Sequence, residues 1–287
     1  SQSLLAFDMP VLETSIDTAA ESAILIIMMI YVLAALINLR IPDTGARYES
    51  QKTNPIELVK DFSVCFKTLW DDRLGQISLA VTTLFWGAGA TLQFIVIKWA
   101  QVALHMTLSQ GAILQAISAV GVAGGAVWAA WRIPLRNSLK VLPYGIAMGL
   151  VVCVMAIYNS DMLPNTTIWT IGKFEISLNL VPAYFLLILV GWLAGYFVVP
   201  MNALLQHRGH VLMSAGHSIA VQNFNENISV LMMLLIYSGL IWLDAPIQAV
   251  IIGFGVAVSA IMWLVIKRHR ANQAEYDSMH LIGEHKH

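Results

Sequence analysis

Residues 216–239 read GHSIAVQNFNENISVLMMLLIYSG. The second half is apolar enough to sit in lipid. The first half carries His217, Gln222, Asn223, Asn225, Glu226 and Asn227. Neither half alternates with a period of two, so a barrel strand is not indicated, and the length suits a helix across a bilayer core of about 30 Å. Polar groups inside hydrocarbon are costly unless they face a bundle interior or a cavity. The stretch therefore reads as a membrane helix with one wet face.

The rest of the chain agrees with that environment. Of its 287 residues 58% are hydrophobic and 11% charged, and mean hydropathy is +0.71. Soluble domains carry about a quarter charged residues, so an integral membrane protein is indicated. A net charge of -1 gives no reason to expect nucleic-acid binding. Cys65 and Cys153 lie far apart in unlike surroundings, so neither a disulfide nor a zinc site is expected. The start lacks a basic segment, carries Asp8, Glu13, Asp17 and Glu21, and has no initiator Met. It does not read as a signal peptide, and the chain reads as a piece of a longer one.

Seven stretches are long and apolar enough to span: about 22–39, 77–100, 111–130, 140–158, 180–200, 213–238 and 246–266. All 16 Lys and Arg except Lys98 and Lys173 then fall on one side of the membrane. By the positive-inside rule that side is cytoplasmic, with the C-terminus on it and residues 1–21 outside. Between spans one and two, Asn54-Pro55-Ile56-Glu57 is a helix start with an N-cap, Pro at N1 and an acid at N3. Ile56, Val59, Phe62, Phe66, Leu69 and Trp70 follow at helical spacing. This amphipathic helix either lies on the inner leaflet or packs against neighbouring cytoplasmic loops.

Polarity separates the spans. The fourth and seventh are almost wholly apolar and can face lipid. The second holds Thr82, Thr83, Trp86, Thr91, Gln93 and Lys98; the third holds Gln115 and Ser118; the fifth ends in Pro200 and Asn202. Spans two, three, five and six should surround something wet. Glycine pairs at four-residue spacing, Gly121/Gly125, Gly145/Gly149 and Gly191/Gly195, suit close helix packing inside the bundle better than a dimer face. His207 and His210 sit in a basic turn without the further ligands a metal needs.

In the opening stretch, Ser218, Gln222, Asn225 with Glu226, and Ser229 form one stripe, with Asn223 and Asn227 on the next row. Glu226 sits near mid-span. It is either a binding or gating group on a translocation path or part of a buried amide network that only holds helices together.

The runs SLAVTTLFWGAGATLQFIVIKW (78–99), GYFVVPMNALLQHRGH (195–210) and SAGHSIAVQNFNENISVLMMLLIYS (214–238) resemble the bacterial lysophospholipid transporter family, a branch of the major facilitator superfamily. The resemblance implies an all-α integral membrane fold: the last helix of an N-terminal half (22–39), a central cytoplasmic loop (40–76), a six-helix C-terminal half (77–266) and a cytoplasmic tail (267–287). It implies that roughly five helices of the N-terminal half are missing, and that this chain alone cannot perform alternating access. It also implies movement of lysophosphatidylethanolamine and related lysolipids across the inner membrane to an acyltransferase/acyl-carrier-protein synthetase, with no cofactor. Some relatives carry Arg at Gln93, where a cation would suit a lipid phosphate. Lys98, about 140° further around the helix, is an imperfect substitute. On this reading Glu226 and its amides meet the headgroup ammonium, and the acyl chain lies along Met232, Met233 and Leu234 or in adjoining lipid. The rival is a proton-coupled exporter of the same superfamily, with Glu226 as proton carrier.

Overall fold

Side-chain caps set the starts of four α-helices among the described residues. The computed structural model describes residues 19–42, 54–171 and 174–283. Ser1–Lys52 and Thr53–His287 are separate compact units. The first contains α1 (Ala19–Asn38), 20 residues that are apolar apart from Glu21, Ser22 and Asn38. Residues 1–18 of the expected outer loop, Arg47 and Lys52, Lys173, and the tail from 284, including Lys286, lie outside the described residues.

In the second unit α2 (Pro55–Asp71) starts as its sequence predicts: Asn54 Oδ1 accepts from the Ile56 N–H at 3.1 Å, with Pro55 in the first turn. α3 (Arg73–Ala103) is capped by Asp72, whose Oδ1 accepts from Gly75 N–H at 2.6 Å. α4 (Leu108–Arg132) has a full capping box between Thr107 and Gln110. α5 (Leu142–Ile157) is followed by an antiparallel hairpin, β1 (Thr167–Ile171) with β2 (Phe174–Ser177). α6 (Val181–Leu212), α7 (Ala215–Trp242) and α8 (Ile247–Glu275) complete this unit's bundle. Its six long apolar segments and, in the first unit, α1 are the seven described segments with the length and apolarity of membrane spans. The chain is an all-α, multi-pass membrane protein.

The fifth expected span, 180–200, is too short. α6 continues through Pro200 to Leu212, 32 residues or about 48 Å. Pro200 removes only the hydrogen bond to its own preceding turn, and a helix braced by neighbours absorbs that loss. His207 and His210 therefore lie on the last turns of α6 and not in a loop. His207 Nε2 accepts from Gly283 N–H at 3.2 Å.

The glycine pairs are where the bundle closes. A Cβ on Gly121 or Gly125 of α4 would strike the carbonyls of Ile188 or Trp192 on α6. One on Gly191 or Gly195 of α6 would strike those of Ser118 or Val122 on α4. The two parallel helices thus pack backbone to backbone. Gly149 of α5 and Gly255 of α8 meet in the same way, and Gly87 of α3 lies against Ser229 and Met233 of α7. The core between these pairs is built on Trp99, Phe197, Leu187 and Met155, all fully buried. α5 and α8, the apolar pair, pack chiefly on each other.

The end of the bundle rich in Arg and Lys is locked by charge. Arg208 of α6 donates from Nη2 to Asp72 Oδ2 at 2.7 Å and from Nε to Oδ1 at 3.1 Å, with the pair almost out of solvent. Its Nη1 donates to Leu281 O at 3.2 Å, which draws the segment after α8 back over the bundle, where Ile282 is buried. Arg73 donates to Asn272 O and pairs with Glu275.

α2 packs on the bundle through its second half. Leu69 is buried against Leu79, Leu205 and Val221, and Phe62 meets Phe224 of α7 edge-on at 5.1 Å. Its first half leaves Ile56 79% and Val59 66% exposed. These contacts are with α3, α6 and α7 rather than with the neighbouring cytoplasmic loops that one sequence reading expected.

Candidate translocation site

α7 presents two different rows to its surroundings. Its N-cap is Ser214, whose side chain accepts from the His217 N–H. One turn on, Ser218 is buried directly against Gly209 of α6, which has no Cβ to obstruct it. Gln222 comes next and bridges two elements. Its Nε2 donates to Asn202 Oδ1 of α6 at 3.0 Å and to Glu226 Oε1 at 2.7 Å. Glu226 is 9% exposed. The Trp86 indole of α3 lies beside the carboxyl group. Trp86, Asn202, Gln222 and Glu226 are thereby gathered from three helices, although the sequence separates the first and last by 140 positions.

Other predicted residues are not gathered. Asn225 donates to Val221 O of its own helix at 2.8 Å, and Asn227 donates to Asn223 O at 2.7 Å. Asn223 and Asn227 are exposed on the row that faces away from Glu226. Lys98 is exposed on α3, twelve residues and about 18 Å along the helix from Trp86. The hydroxyls of Thr82 and Thr91 bond carbonyls of their own helix, Leu79 and Gly87. Thr82 is packed out of solvent and Thr91 borders an apolar groove, so neither faces a wet space.

Gln93 belongs to a cavity of about 490 Å³ beside this cluster. α3, α4, α6 and α7 line it, the four helices whose polarity marked them, and α5 and α8 contribute nothing to it. Gln115 of α4 donates to Gln93 O at 2.8 Å across it. Trp86 lines the cavity and also touches Glu226, so its ring joins the two places.

The chemistry available is a carboxylate held by neutral donors. Arg73–Glu275, His105–Asp161 and Arg208–Asp72 are ion pairs of this unit, and among the described residues no cation is paired with Glu226. Such a group can bind a cationic part of a ligand or take up a proton. The buried Arg208–Asp72 pair was not legible beforehand. Arg208 counted only as a basic loop residue, and the one signal was the acidic Asp71-Asp72 before α3.

Curated proteins resemble this chain in sequence. The lysophospholipid transporter LplT of Shigella boydii serotype 4 (strain Sb227) is 37% identical over 241 residues, which is 82% of this chain and 56% of that protein. LplT of Escherichia coli O1:K1 / APEC and of Escherichia coli O9:H4 (strain HS) match to the same extent. The chain thus spans about half the length of the curated relatives it matches. No family model and no solved structure matches it.

Proposed function

We propose, for a chain that is a sequence relative of the lysophospholipid transporters, that it forms the C-terminal six-helix half, with one preceding helix, of a major facilitator transporter. Its cargo is a lysophospholipid with a protonated amine, lysophosphatidylethanolamine in the first place. The cargo moves to the cytoplasmic leaflet of the inner membrane, where an acyltransferase/acyl-carrier-protein synthetase re-esterifies it. The basic end of the bundle, with Arg132, Arg136, Lys140 and Lys267, is the cytoplasmic end by the positive-inside rule. A partner half, absent from this sequence, supplies the other wall of the path, and the two halves rock about it.

One observation carries this reading: a mid-span carboxylate, Glu226, is held by Gln222 next to Trp86, which lines a cavity, and lacks a cationic partner among the described residues. Leaving a carboxylate in that state is costly, and an ammonium headgroup supplies the missing charge. Lys98 is too distant to serve this cluster. The phosphate is therefore met by neutral donors, of which Gln93 and Gln115 are the candidates in the cavity.

The test is Glu226→Gln in the complete transporter, with uptake of lysophosphatidylethanolamine measured in vesicles. The expected result is uptake reduced by about tenfold or more, as the loss of one charged hydrogen-bonded contact gives, with membrane insertion unchanged. Normal uptake by the variant would remove the headgroup role. Burial of Glu226 against neutral donors also suits reversible protonation, the exporter reading. A dependence of transport on an imposed pH gradient, lost in the same variant, would favour that alternative.

A further inference from the structure

The face of α7 that turns toward α3 changes character along its length. Ser218, Gln222, Glu226 and Ser229 make its first half polar, and Met233, Tyr237 and Leu240 continue the same row as apolar side chains. The boundary lies within a single turn, between Ser229 and Met233, at the level of Gly87 on α3. Beyond it a groove of about 380 Å³ opens between α7 and α8, floored by Thr91 and Ile95 of α3. Thr91 spends its hydroxyl on Gly87 O and Tyr237 donates its own to Phe94 O, so the floor and near wall offer little polarity to an occupant.

The far wall explains why the groove is open. Ala245 in the turn before α8 and Ala249, Gly253 and Ala257 along α8 recur every four residues and line it. Elsewhere in the bundle such stripes are closed: Gly121, Gly125, Gly191 and Gly195 sit where any Cβ would strike a partner backbone. Gly253 has nothing within 4 Å of the position its Cβ would take. Gly255, on another face of α8, is packed on Gly149. α7 and α8 each pack on α3 and barely on each other. The small residues of this stripe therefore hold space open instead of bringing helices together.

We propose that this groove seats the single acyl chain of the transported lysolipid while its headgroup is at Glu226. The proposal rests on the lysolipid reading above and adds to it a place for the tail. The spacing suits an amphiphile. Glu226 to Met233 is about 10 Å along the helix, and Met233 to Leu240 about 10 Å more. A headgroup and glycerol fit alongside the polar turns and the chain alongside the apolar ones. The polar half lies toward the basic end, so the lipid sits with its head toward that end and its tail away from it, the orientation of a lipid of the cytoplasmic leaflet.

The experiment uses the full chain in vesicles of diacyl phosphatidylcholine and a lysophosphatidylethanolamine with a diazirine at the end of its chain. After photolysis, adducts are mapped by peptide mass spectrometry. The expected result is labelling of residues 233–240 and 249–257 that excess unlabelled lysophosphatidylethanolamine suppresses. Gly253→Phe, which projects a ring into open space, should lower this labelling about tenfold, the effect of displacing roughly two methylenes. Binding of a six-carbon analogue should be untouched. Groove labelling that unlabelled lysolipid does not suppress would mean bulk lipid fills it, which overturns the proposal. Suppressible labelling mapped elsewhere would overturn the tail site and leave the lysolipid reading standing. With no suppressible labelling anywhere, the lysolipid reading falls and the proposal falls with it.

Discussion

α6 and α7 are adjacent in sequence and both apolar enough to span a membrane, yet the most apolar window of α6 is 61% buried and that of α7 only 6%. α6 is packed on several sides. It meets α4 through interlocked glycines, α3 and α5 through large side chains, and α2 at its basic end. α7 meets α2 through Val221 and Phe224 and meets α3 and α6 chiefly along one other row, which is polar for half its length. The difference teaches that burial within this half and exposure of chemistry are divided between helices. α6 holds the bundle together, and α7 presents the groups that a cargo or a partner half would meet.

That division can be tested by substitution. The largest expected effect is at the basic end of α6. Asp72→Ala strands the buried Arg208 guanidinium and uncaps α3, and should cost about 3–5 kcal/mol, read as a lower unfolding midpoint in detergent. Gly125→Leu should cost about 3 kcal/mol, because its side chain meets the Trp192 backbone, which cannot move aside cheaply. If that variant were as stable as the parent, the α4–α6 interface would not be the frame described. A smaller loss, about 1 kcal/mol, is expected for Phe224→Ala, which removes the edge-on contacts with Phe62 and Phe66 that tie α2 to α7. A loss of several kcal/mol there would make α7 a structural helix like α6. Least of all, Asn227→Ala on the exposed row of α7 should shift stability by no more than about 0.5 kcal/mol. The comparison of interest is with Glu226→Gln, which should leave stability similarly intact and impair uptake. Equal effects of these two on uptake would erase the distinction between the rows.

Much of this was legible in residue patterns. The helix start at Asn54-Pro55, the seven spans, the separation of lining from outer helices, and the internal use of the Gly121/Gly125 and Gly191/Gly195 pairs all depend on local periodicity, which a sequence displays directly. The stripe of Ser218, Gln222 and Glu226 was legible for the same reason. Other features depend on which helix comes to lie opposite, and no local pattern carries that. Asn223 and Asn227 satisfy themselves along their own helix and face away. Lys98 is on the right helix at the wrong height. Pro200 reads as a terminus but is carried through because neighbouring helices brace it.

By itself, then, the sequence determined the solvent in which this chain folds, the number of helices and the faces they would bury, because hydrophobicity and helical period act residue by residue. Only the tertiary structure decided which groups share a site. Trp86 beside Glu226, Arg208 against Asp72, and an alanine stripe left facing empty space depend on helices converging from distant parts of the chain, and that convergence is settled by close packing of whole faces rather than by any one residue.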